Sequence, residues 1–301
     1  MKIRPLYRLA EGARFIVKHL PAWISYPIAD RVGDTIFLVW PRVRRNMITA
    51  LATLLHTDEN DPEVKKTARR CTRNFSKYIV DLFRYAYPSR DFFKKNIKMS
   101  GMEHIEVARA EGKGIILVSF HLGNLDLGIR FLSSLGYPVH AIVDNLSSGQ
   151  LDAFLQNPRK TGGTRLINVK EASTKLLDIL HKNEILAMMV DNPNCMKGAR
   201  VKLGERWVIL PSGPATLSLR TGARLIPCGM VRTSNTTFKG IVGKPIEYQP
   251  CGKLSEDVPA ITQRMAAALE EITRQFIDQW YVFHPLIKDE LQTTDRVSLV
   301  H

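Results

Sequence analysis

From residue 112 onward the chain alternates short apolar runs with stretches of helical spacing, and no other feature constrains its fold as strongly. Gly114-Ile-Ile-Leu-Val-Ser119 is apolar at successive positions, as a strand buried on both faces must be. A helix is expected over 124–135, strands over 137–143 and 165–168, a helix over 171–182 and a strand over 185–190. A loop rich in Gly, Asn and Pro follows, then strands near 206–210, 225–232 and 238–242, a helix over 212–221, and a last helix over 259–279. Strands alternating with helices imply an α/β fold with a mainly parallel central sheet flanked by helices. At 301 residues the chain has room for one such domain and an appendage.

The first hundred residues read differently. They hold 20 of the 43 basic side chains and 9 of the 29 acidic ones, so most of the net charge of +14 is N-terminal. Apolar clusters at Phe15-Ile-Val17, Trp23-Ile24, Tyr26, Ile28 and 36–40 are punctuated by Pro21, Pro27 and Pro41, as in two or three short helices. Trp23, Tyr26 and Trp40 among apolar neighbours, with Arg8, Arg14, Lys18, Arg31, Arg42, Arg44 and Arg45 supplying charge, suit a lipid headgroup layer. A longer helix is expected over 62–87, capped by Asp61 or Thr57, with Lys65, Lys66, Arg69, Arg70, Arg73 and Lys77 on the face opposite its apolar stripe. The expected organisation is therefore a membrane-docking helical segment over 1–100, a catalytic α/β domain over 101–289 and a loosely ordered tail over 290–301.

A surplus of this size implies an anionic partner, whether nucleic acid, an anionic membrane surface or a phosphorylated substrate. Nucleic acid is disfavoured, because the chain has no recognisable reader motif and its aromatics cluster with apolar residues. An anionic membrane surface fits better. No apolar run reaches the roughly 18 residues of a spanning helix, and the N-terminal apolar stretch is too interrupted for a signal peptide, so the expected location is peripheral, on the cytoplasmic face of the cell membrane. Cys71, Cys195, Cys228 and Cys251 form no metal or redox spacing.

The best candidate for chemistry follows the first buried strand, in Ser119-Phe-His121-Leu-Gly123-Asn124-Leu-Asp126. Ligands of open α/β sheets gather at the carboxyl ends of the strands. Gly123 allows a tight turn, after which Asp126 can return to His121 as a helix begins. A carboxylate on one imidazole nitrogen would fix the tautomer and leave the other as a base. There is no Gly-x-Ser-x-Gly elbow, Walker loop or dinucleotide fingerprint. His284 reads as a packing residue.

His121-Leu-Gly-Asn-Leu-Asp126 resembles the His-x4-Asp/Glu motif of the glycerolipid acyltransferase superfamily, and its Gly123-Asn124 interior resembles the lipid A biosynthesis acyltransferase branch, which includes phosphatidylinositol mannoside acyltransferases. Further blocks agree: Arg45-Asn46-Met with Arg73-Asn74-Phe75; Asp191, Gly204 and Ser212-Gly213-Pro-Ala; Thr221-Gly-Ala-Arg-Leu-Ile-Pro227; and Gln279-Trp280. The resemblance implies transfer of an acyl group from an acyl carrier protein or coenzyme A thioester to a lipid or glycolipid hydroxyl, with His121 and Asp126 catalytic and no metal or cofactor beyond the thioester. Gly123, Asn124, Arg159, Asp191, Gly204, Ser212 and Gly213 become candidate substrate contacts. Arg159 would meet an anionic headgroup, Asp191 would line the cleft or cap a loop, and Ser212-Gly213 would offer backbone donors or cap a helix. One departure is Asp144, where the family commonly has arginine. A non-catalytic membrane scaffold on the same fold is the alternative.

Overall fold

A computed structural model of the chain describes residues 4–143, 163–168, 172–191 and 198–285. Helices α1 (Arg4–His19), α2 (Ala22–Val39), α3 (Pro41–Leu55), α4 (Pro62–Arg84) and α5 (Arg90–Asn96) lead into β1 (Ile97–Ser100) and α6 (Met102–Ala110). Then come β2 (Ile115–Ser119), α7 (Leu125–Ser134), β3 (Val139–Val143), β4 (Arg165–Asn168), α8 (Ala172–His181) and β5 (Ile185–Met189). A hairpin of β6 (Gly198–Leu203) and β7 (Arg206–Pro211) precedes α9 (Gly213–Thr221), β8 (Arg224–Arg232), β9 (Phe238–Val242), α10 (Leu254–Gln275) and a 3-10 turn, Ile277–Gln279.

Seven strands form one sheet in the order β1-β9-β8-β2-β5-β3-β4, and every neighbouring pair is parallel except β8 and β9. That exception follows from chain length: only residues 233–237 join the two strands, too few for a parallel crossover. The expected α/β class and mainly parallel sheet are what the structure has. Alternate residues of β2 and its neighbours join two different cores, one on each face of the sheet. Ile116, Val118, Leu186 and Leu225 join the core shared with α3, α4, α8, α9 and α10. Ile115, Leu117, Ile185 and Ile226 face α6 and α7.

Four elements were not anticipated: α5, β1, α6 and β6. The last falls in what reads as loop, although Ala199, Val201 and Leu203 alternate with exposed positions as a half-buried strand requires. Two proline positions also differ from expectation. Pro27 lies inside α2 and Pro259 inside α10, which begins five residues earlier than expected. Asp61 is the cap of α4, accepting from Glu63 N at 2.8 Å.

Residues 1–100 are not uniform. Val43, Met47, Leu51 and Leu54 of α3, with Val64, Ala68 and Cys71 of α4, are buried in the same core as the sheet, and β1 is an edge strand. The outward apolar surface belongs to α1, α2 and the α2–α3 corner: Phe15, Ile16, Trp23, Ile28, Val32, Leu38, Val39 and Trp40 are exposed, Trp23 to 75%. Three basic side chains of α4 are claimed by carboxylates of α2. Arg69 and Arg73 grip Asp34 of α2 at 2.7 and 2.6 Å, and Lys77 meets Asp30 at 3.0 Å. Gly33 makes this crossing possible, since a Cβ there would lie 2.5 Å from Arg73 Cα.

Candidate active site

The parallel pairing of β2 with β5 sets Ser119 beside Met189. His121 and Asp191 each lie two residues beyond that pair, so register alone brings them together at the carboxyl edge of the sheet. His121 Nδ1 is 2.6 Å from Asp191 Oδ1, and the His121 backbone N–H donates to Asp191 Oδ2 at 2.8 Å. Trp280 Nε1 donates to the same oxygen at 2.9 Å. Burial by itself would raise the Asp191 carboxyl, but the imidazole charge and these donors outweigh it and hold the group below its usual value. An ionised carboxylate only accepts, so Nδ1 carries the proton and Nε2 is the basic nitrogen.

The expected partner of His121 was Asp126. Asp126 is buried in the first turn of α7 and accepts from the Tyr78 hydroxyl at 2.6 Å. The carboxylate bonded to Nδ1 is Asp191, on a strand 70 residues away.

The turn between them is tightly held. Gly123 has φ +68°, and a Cβ there would fall 2.0 Å from Met230 O. Its N–H donates to Gln279 O at 2.9 Å, and Asn124 N–H donates to Met230 O at 2.7 Å. Asn124 Oδ1 caps α7 by accepting from Leu127 N at 3.0 Å, while Nδ2 donates to the buried Asp81 at 3.1 Å. Asp81 also accepts from Tyr26 at 2.8 Å and pairs with Arg232. Burial, against the pull of Arg232, pushes its carboxyl up to about 6.

His121, Gly123 and Asp126 line a cavity of about 370 Å³ that runs between the sheet and α7. Its walls are apolar: Leu117, Ala141, Ala187 and Cys228 from the strands, and Ile129 and Leu132 from the helix. Burial pushes the Cys228 thiol up to about 12, so it serves as wall and not as nucleophile.

Other sequence candidates sit elsewhere. Gly204 is the hairpin turn, φ +56°, with a hypothetical Cβ 2.1 Å from Thr53 O, and its N–H donates to Glu270; it is not among the residues lining the cavity. Ser212 precedes α9 without a side-chain cap. A Cβ on Gly213 would lie 3.8 Å from Cε of Met188, which lines the cavity. Arg159 and Asp144 lie outside the described residues.

Two residues gained importance from the fold. Tyr78 carries no motif signal, and His284 lines the cavity, its basicity lowered by burial and by His121. The segment bearing His284 is pinned from both sides: Tyr281 N–H donates to His121 O at 2.9 Å, and Asn46 Nδ2 donates to Phe283 O at 2.9 Å. Asn74 similarly donates to Asp278 O at 2.9 Å. The asparagines of the two N-terminal blocks thus hold the C-terminal segment that delivers Trp280 to Asp191.

Phosphatidylinositol mannoside acyltransferases from two strains of Mycobacterium tuberculosis, CDC 1551 / Oshkosh and ATCC 25618 / H37Rv, are each 23% identical to the chain over 205 residues, or 67% of this chain. The alignment spans 63% of the length of those relatives. The enzyme of the same name from Mycolicibacterium smegmatis is 22% identical over 236 residues, covering 77% of this chain and 75% of that one. Residues 6–289 match the family described as bacterial lipid A biosynthesis acyltransferase, and with nearly the whole chain inside that match, the protein belongs to this family.

Proposed function

We propose that the protein is a membrane-associated O-acyltransferase that moves a fatty acyl chain from an acyl carrier protein or coenzyme A thioester to a hydroxyl of a glycolipid or lysolipid. The observation that carries this reading is a histidine, bound at Nδ1 by a buried carboxylate, on the wall of a largely apolar cavity. His121 Nε2 takes the proton of the acceptor hydroxyl. The oxygen attacks the thioester carbonyl carbon, the carbon–sulfur bond breaks, and the departing thiolate recovers the proton from the imidazolium. Asp191 orients the imidazole and stabilises its charged form. Asp126, tied to Tyr78, adds a second carboxylate beside the reacting groups. The cavity between sheet and α7 accepts the acyl chain, whose methylenes gain about 0.8 kcal/mol each on leaving water.

Docking is assigned to α1, α2 and the α2–α3 corner. Among the described residues no helix is long and apolar enough to cross a membrane. Exposed Trp23, Leu38, Val39 and Trp40 lie near Arg31, Arg42 and Arg45 in the chain, a composition suited to an anionic bilayer surface. The related mannolipid enzymes make a phosphatidylinositol mannoside a reasonable first acceptor. The purified protein, a long-chain acyl-CoA or acyl carrier protein thioester and this acceptor in anionic vesicles are expected to give an acylated lipid, and His121→Ala none. Equal product from the variant would overturn the reading. Lipid profiles of deletion and complemented strains then identify the native acceptor.

A further inference from the structure

Asn124 is ambivalent: its amide has a donor half and an acceptor half of nearly equal shape. The helix bearing Asp126 needs the acceptor half, because Oδ1 takes the Leu127 N–H at the N-terminus of α7. What opposes the other half decides which way the amide sits, and that group is Asp81, an acceptor-only carboxylate with 1% exposure. Asp81 is itself fixed from three elements. Tyr26 of α2 donates to Oδ1, while Asn124 and Arg232 share Oδ2. The Arg232 guanidinium lies between the rings of Tyr26 and Phe238, 5.1 and 4.9 Å from their centres. The same arginine reaches the turn by a second route. Its backbone N–H and C=O bind the Gln279 side chain at 2.7 and 2.9 Å, and Gln279 O accepts the Gly123 N–H. Of two adjacent residues of the turn, Asn124 is therefore bound to the Asp81 carboxylate directly, and Gly123 is bound through Gln279 to the backbone of the arginine that pairs with it.

We infer that Asp81 is a positioning residue for the reaction: by orienting the Asn124 amide and anchoring Arg232, it holds the turn from His121 to Asp126 in its reactive geometry. It touches no reacting atom and acts only through Asn124, Arg232 and Gln279. The inference rests on the acyltransferase reading, and it also makes the turn sensitive to the seating of α2, whose Tyr26 supplies the bond to Oδ1.

The test compares Asp81→Ala, Asp81→Asn and Asn124→Ser with wild type and His121→Ala, using a long-chain acyl-CoA and vesicle-borne phosphatidylinositol mannoside, together with amide hydrogen exchange. Asp81→Ala is expected to lower kcat about 100-fold, the scale of a small misplacement of reacting groups, with KM for acyl-CoA within about threefold. Asp81→Asn keeps one acceptor oxygen and is expected to recover about tenfold of that loss. Exchange at the Gly123, Asn124 and Leu127 amides is expected to rise in Asp81→Ala while α10 stays protected. A kcat within threefold of wild type, or a uniform rise in exchange, overturns the inference. Should Asp81→Ala not fold, Asn124→Ser decides: serine still caps α7 but cannot reach Asp81 with a donor while doing so. Its kcat is expected to fall about tenfold, and wild-type turnover would overturn the inference. If wild type and His121→Ala are equally inactive, the acyltransferase reading has failed, and the exchange pattern alone then tests the positioning role.

Discussion

Asp191 binds His121 twice, through Nδ1 at 2.6 Å and through the backbone N–H at 2.8 Å. One carboxylate thereby fixes both the ring's tautomer and the position of the strand end that carries it. The indole of Trp280 supplies a third donor.

Replacing Asp191 with Asn is expected to cost activity without comparable loss of fold. An amide can still accept from Trp280, but its other half donates, which favours the wrong imidazole tautomer. By analogy with histidine–carboxylate pairs in hydrolases, kcat falls about 10³- to 10⁴-fold. Single-turnover acyl transfer with melting curves as control measures this; turnover within tenfold of wild type would remove Asp191 from the orienting role.

The cavity predicts acyl selectivity. Ala187→Leu adds three carbons to its wall beside Leu117 and Ala141. The kcat/KM for the longest acyl-CoA accepted is expected to fall about tenfold relative to one several carbons shorter. Competition between two labelled thioesters reads the ratio directly, and an unchanged ratio would mean the chain lies elsewhere.

Membrane docking is expected to depend on both aromatic and basic residues of the N-terminal corner. Arg42→Glu with Arg45→Glu removes two cations and adds two anions. At about 1 kcal/mol per charge near an anionic surface, vesicle affinity drops by roughly two orders of magnitude or more. Trp23→Ala and Trp40→Ala weaken binding in a manner less sensitive to salt. Vesicle sedimentation against salt concentration checks both, with duplex DNA as the competing partner.

The α2–α4 contact carries a pH signature. Hydrogen bonds and charge from Arg73 and Arg69 hold the Asp34 carboxyl well below the ordinary carboxylate range. A depressed native value means the stabilising contribution is fully present above the unfolded value of about 3.9 and is lost as pH falls toward the native one. Acid below about pH 4 is therefore expected to loosen α2. Asp34→Asn flattens the loss in that window, as amide exchange within α2, followed as the pH falls from about 5 to about 2, would reveal.

Gly204 offers a test of structure against substrate contact. With φ +56° and the Thr53 carbonyl 2.1 Å from a hypothetical Cβ, Gly204→Ala is expected to destabilise by about 1–3 kcal/mol. Its purified folded fraction is expected to keep the wild-type KM. A raised KM at unchanged stability would return this residue to the substrate site.

The linear pattern by itself determined the class of fold. Strands β2, β5 and β8 announce themselves because burial on both faces demands nearly continuous apolar runs, and β3, β4 and β9 show as shorter apolar stretches between turn signals. The placement of His121 after β2 followed from the same pattern, and so did the basic, aromatic character of the N-terminal helices. Only the tertiary structure decided the partners. Asp191 meets His121 through the register of two strands 70 residues apart, a relation invisible to spacing, whereas Asp126 drew notice because it is near in sequence. Asn46, Asn74, Gln279 and Trp280 stand in the blocks that carry the family resemblance, but their bonds exist only once the C-terminal segment folds across α3 and α4 to the turn after His121. The spacing that puts Lys65, Lys66, Arg69, Arg70, Arg73 and Lys77 on one face of α4 likewise names no partner, yet Asp30 and Asp34 of α2 claim Lys77, Arg69 and Arg73. Local sequence encodes which surfaces must be buried; which charges then meet depends on packing geometry that no single segment contains.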